Sequence, residues 1–132
     1  MKTRTSRSGR KHLPRQLQTL AESETRSLLA ALPPDIREKV LALPIVFEPA
    51  PGPDLVREGI EPDVLGLFLG NPCAEVDGDP IPPEILLFLS NLWDDAGKDV
   101  AEFRRQVRKT LLHEIGHYLG LEEDDLAARN ME

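Results

Sequence analysis

All twelve prolines of this 132-residue chain lie at or before Pro83. Proline breaks a helix interior, because its ring clashes with the preceding turn and it has no N–H to donate. The chain up to Pro83 must therefore be built from short, interrupted elements, and long helix is open only to the residues beyond it. An uninterrupted helical pattern falls there. Val100, Phe103, Val107, Leu111, Ile115 and Tyr118 recur at helical spacing, and they predict a helix from about Val100 to Tyr118. Asp99 stands just before it as an N-cap.

Upstream the pattern is broken into pieces. Leu17, Leu20, Leu28, Leu29 and Leu32 predict an amphipathic helix within Gln16–Leu32, stopped by Pro33 and Pro34. Pro34 suits the first turn of a second, short helix, Asp35–Leu43. Three apolar runs, Ile45–Phe47, Leu65–Leu69 and Ile85–Leu89, predict strands. The Pro/Gly-rich residues 49–54 and 71–83 read as loops. Trp93 is expected to cap the core before the last helix. Helices, then strands, then helices define an α+β domain. It should hold a short mixed sheet of about three to four strands packed on helices.

The domain is expected to cover residues 15–132, behind a disordered basic arm of residues 1–14. The first twenty residues carry six Lys or Arg and no acid, while the whole chain has a net charge of −7, which leaves −13 for the rest. So acidic a body argues against nucleic acid as the main ligand, since phosphate contacts need clustered Lys and Arg. No stretch reaches the roughly 18–20 apolar residues of a membrane helix. Cys73 is the single cysteine, which excludes an internal disulfide framework and an all-cysteine metal site. No apolar core follows the basic N-terminus, so a secretory leader is not expected and a reducing cytoplasm is the expected location.

The chemistry sits near the end of the long helix, in His113-Glu114-Ile115-Gly116-His117. Histidines at i and i+4 stand one above the other on a helix face, so two imidazoles can converge on one metal ion. With Glu114 they share an arc of roughly 100° beside the apolar stripe. Glu114 need not bind the metal; it lies where it can take a proton from a metal-activated water, which is the mechanical content of H-E-x-x-H. Gly120 comes three residues after His117, where the helix can end in a left-handed residue and turn. Glu123 comes three residues later, within reach of the same metal. The full string, H-E-x-x-H-x-x-G-x-x-E, has the spacing of an extended zinc motif with a carboxylate in the third position. Two histidines and a carboxylate suit Zn²⁺ and leave a fourth position for water.

The chain resembles the short bacterial zincin-like metallopeptidases, sometimes called minimal zincins. The resemblance rests on LPPDIREKVLALPIVFE, LGLFLGNP and above all VRKTLLHEIGHYLGLEEDDL, and covers about residues 20–130. It implies a small zincin-like domain with H-E-x-x-H on the C-terminal long helix and peptide or protein as substrate. Aspartate is the commoner third ligand in that family, whereas this chain has Glu123, with Asp124 the alternative.

The expected function is thus zinc-dependent peptide hydrolysis. His113, His117 and Glu123 would hold Zn²⁺, and Glu114 would act as general base on the zinc-bound water, then pass the proton to the leaving amine. Gly66, Leu67 and Phe68 are candidate substrate-binding residues, if Leu65–Leu69 is an edge strand to which an extended peptide can add; otherwise it is simply a core strand. Two other readings stand beside this one. They are a non-catalytic zinc-binding interaction module and a metal-dependent nuclease. Sequence leaves the oligomeric state open. The short length provides no second domain to wall the cleft, so a shallow, open site is expected.

Overall fold

A computed structural model of the chain describes residues 14–70 and 82–120. The basic arm (except Pro14), Cys73 and its loop, Glu123 and Asp124 lie outside the described residues. The elements run α1 (Arg15–Ala31), α2 (Pro34–Val40), β1 (Ile45–Glu48), α3 (Pro53–Arg57), β2 (Gly66–Leu69), β3 (Glu84–Phe88), α4 (Leu89–Asp95) and α5 (Val100–Leu119). The expected α+β order holds, with three strands in a mixed sheet. Two short helices depart from the sequence pattern. Pro53 and Asp54, expected to lie in a loop, instead open a short helix, Pro53–Arg57. Leu89, expected to end a strand, instead opens α4.

The sheet order is β1-β3-β2, with β1 parallel and β2 antiparallel to the central β3. Register aligns Ile45, Ile85 and Phe68 in one row and, two residues along on the same face, Phe47, Leu87 and Gly66 in another. The side chains of these rows pack into the core beneath the helices. α5 lies over β2 and β3, and α1 lies against both α5 and α4.

α5 is the spine of the core. Phe103, Val107, Leu111 and Ile115 are fully buried, and burying such side chains is worth about 1.5–3 kcal/mol each relative to leaving them in water. Trp93 meets Phe103 edge-on at 5.7 Å, which closes the core at the start of α5. The stripe departs from expectation at one end, where Val100 is half exposed because it is the first residue of the helix. Both caps of α5 are those the sequence predicts. The Asp99 carboxylate accepts the Glu102 N–H at 2.8 Å. Gly120 adopts the left-handed conformation (φ 74°), and its N–H bonds back to Gly116 and His117.

Candidate metal centre

Among the described residues β2 is an edge strand. The Phe88 N–H donates to Leu65 C=O, and Ile85, opposite Phe68, turns its own N–H away to Pro44 on the β1 side. Bonding alternates along an antiparallel pair. Leu67 therefore spends its backbone groups on Leu86, while Gly66 and Phe68 point theirs to the outer edge. The three sequence candidates are in this way separated: Gly66 and Phe68 present edge-facing backbone, and Leu67 does not. Asn91 of α4 anchors the approach to this strand, donating to the carbonyls of Pro62 and Val64, both at 2.9 Å.

α5 runs alongside β2 in the same direction. Gly66 packs against Thr110, since a Cβ placed at Gly66 would lie 2.7 Å from the Thr110 methyl. Two residues further along the strand, the Phe68 N–H donates to the Glu114 carboxylate. Two strand residues rise about 6.6 Å and four helical residues about 6 Å, so the pairs Gly66–Thr110 and Phe68–Glu114 stay in step. The close approach that glycine permits at position 66 is thus used by the protein's own helix. One more turn along, Tyr118 packs its ring against Phe68, with centroids 5.8 Å apart, and its hydroxyl faces the Lys39 carbonyl at 3.5 Å. Tyr118 is in this way tied into packing.

The motif residues divide by environment. Glu114 is buried, whereas His113 and His117 are exposed. Burial pushes the Glu114 carboxyl above its ordinary pKa; the nearby His117, then His113, and the Phe68 N–H act in the opposite direction. The two histidine Nε2 atoms lie 3.0 Å apart, with ring centroids at 4.6 Å. Two nitrogens bound to one tetrahedral zinc at about 2.0–2.1 Å stand about 3.3 Å apart. The Nε2–Nε2 separation is thus within a few tenths of an ångström of that value, and imidazole nitrogen is a fitting zinc ligand. Among the described residues no third His, Cys, Asp or Glu completes a cluster. Gly120 turns the chain out of the helix directly before the segment that carries Glu123.

An open groove of about 990 Å³ runs beside the motif, between Val64–Gly66 and the α5 residues Thr110, His113 and Glu114. Among the described residues no helix is long and apolar enough to cross a membrane.

The family model for zincin-like metallopeptidases matches residues 41–132. The chain belongs to that family. The match takes in all three strands, α5 and the segment beyond it, and membership implies a zinc site. No curated protein is similar enough to match.

Sequence reasoning missed two features that shape the site. The Phe68 N–H contact to Glu114 and the Gly66–Thr110 contact both join residues more than forty positions apart. Only the packing of α5 along β2 brings them together, and no local signal announces either.

Proposed function

We propose that the chain is a zinc-dependent peptidase whose metal is held by His113, His117 and Glu123 and whose general base is Glu114. One observation carries the reading. Two exposed imidazoles bring their Nε2 atoms to 3.0 Å on the same helix face, with a buried carboxylate between them in sequence that touches an edge strand. Family membership supports the same reading.

When bound, zinc supplies Lewis acidity toward a carbonyl and lowers the pKa of water toward about 7. The protein's own residues do the rest. Burial makes the Glu114 carboxylate a stronger base than an exposed one, so it takes a proton from water and returns it to the leaving amine. The Phe68 N–H fixes that carboxylate at the margin of the sheet. An extended peptide adds to the β2 edge, where the Gly66 backbone groups and the Phe68 carbonyl face outward, the Phe68 N–H being taken by Glu114. A cytoplasmic setting, in which the lone Cys73 stays reduced, accompanies this reading.

The test pairs zinc stoichiometry by mass spectrometry with peptide-library cleavage, with and without chelator. One zinc per chain and chelator-sensitive cleavage are expected. Stoichiometric zinc with no cleavage of any library member would favour the non-catalytic zinc module.

A further inference from the structure

The groove does not stop at the motif. It continues toward the start of α5, where Arg105, Arg108 and Lys109 line it. These cations belong to a body that is otherwise strongly acidic, since residues 21–132 carry −13. We infer that this part of the groove selects peptide substrates with acidic side chains two to four residues from the scissile bond, on one side of it. The inference rests on the peptidase reading and names its substrate class.

Spacing supports it. Lys109 and Arg105 precede His113 by four and eight residues, so they stand one and two turns along the same helix face. The rise is about 6 and 12 Å. An extended peptide advances about 3.3 Å per residue, so these distances correspond to about two and four residues.

The charges are also available. Lys109 is exposed and Arg108 half-buried, and among the described residues neither makes an ion pair. Arg105 is paired with Glu102 one turn back, which leaves part of its fork for a ligand. Asp95, the acid at the far end, is occupied by the Gln106 amide at 3.0 Å. Two or three cations are too few for a phosphate backbone, whose binders commonly make about six to ten such contacts. They match the one or two carboxylates of an acidic peptide.

The experiment uses the full zinc-loaded chain carrying Glu114→Gln, so that binding is read without turnover. Fluorescent decapeptides of acidic, neutral and basic composition are compared with a single-stranded oligonucleotide. The acidic peptide should bind roughly tenfold more tightly than the neutral one at low salt. Lys109→Glu should abolish that preference, and Arg108→Gln should reduce it, with neutral-peptide binding unchanged. Both variants keep the basic arm, so a preference that survives them belongs elsewhere and overturns the inference. Tighter, Lys109-dependent binding of the oligonucleotide overturns it as well.

Mapping the bonds cut by the wild-type chain separates the substrate class from the peptidase reading beneath it. Acidic residues should be enriched two to four positions from the cut, on one side. Cleavage without that enrichment overturns the substrate class and leaves the peptidase standing. Lys109-dependent binding of acidic peptide without any cleavage does the reverse.

Discussion

Gly66 and Thr110 touch so closely that the strand has no room for a side chain there. A Cβ at Gly66 would come within 2.7 Å of the Thr110 methyl and 3.3 Å of both the Leu86 carbonyl oxygen and the Leu87 Cδ2. This contact sets how deeply α5 sits on β2, and one helical turn later Glu114 meets the Phe68 N–H. Gly66→Ala should therefore destabilise the fold by about 1–3 kcal/mol, the usual cost of overpacking. Thr110→Ser removes the clashing methyl, so Gly66→Ala should cost less in that background. Denaturant unfolding of the four species of this cycle checks it; strictly additive effects would mean that the two residues are not coupled.

Gly120 is a purely conformational requirement. It has φ 74°, and a Cβ there would meet nothing within 4 Å. Gly120→Ala should cost about 1–2 kcal/mol from left-handed backbone strain alone. Gly120→Asn should cost less, because asparagine tolerates that region. If Glu123 is a ligand, Gly120→Ala should also weaken zinc binding, measurable by chelator competition.

The metal set is resolved by single substitutions. His113 and His117 are exposed, so His113→Ala and His117→Ala should each lose stoichiometric zinc while keeping the far-ultraviolet circular dichroism of the native fold. Glu123→Ala should weaken zinc by at least about tenfold, in the range where loss of metal-site support is felt. Asp124→Ala should leave it unchanged. The opposite ranking would assign the third position to Asp124.

The parts of the fold legible in the sequence are those with a local cause. α5 is legible from its apolar period, Asp99 from its capping chemistry, and Gly120 from its place after the motif. The apolar runs around β1, β2 and β3 are legible as strands, though their order β1-β3-β2 is not, because pairing is a long-range choice. α3 is hidden because five residues are too few to show a period and its Pro/Gly surroundings signal a turn. α4 is hidden because Ile85–Leu89 is a continuous apolar run, with no glycine or proline where strand gives way to helix at Phe88. The histidine pair of the site is legible from i, i+4 spacing. The burial of Glu114 against Phe68 is not, since it depends on α5 and β2 lying in step.

The most direct test of the central claim compares the zinc-loaded wild-type chain with Glu114→Gln on one peptide library, with zinc content measured on the same samples. Both proteins should hold one zinc. The wild-type chain should cleave and the variant should be slower by about 10²–10⁴-fold, the usual contribution of a general base. Equal cleavage by the two proteins at equal zinc content would contradict the role assigned to Glu114 and with it the mechanism.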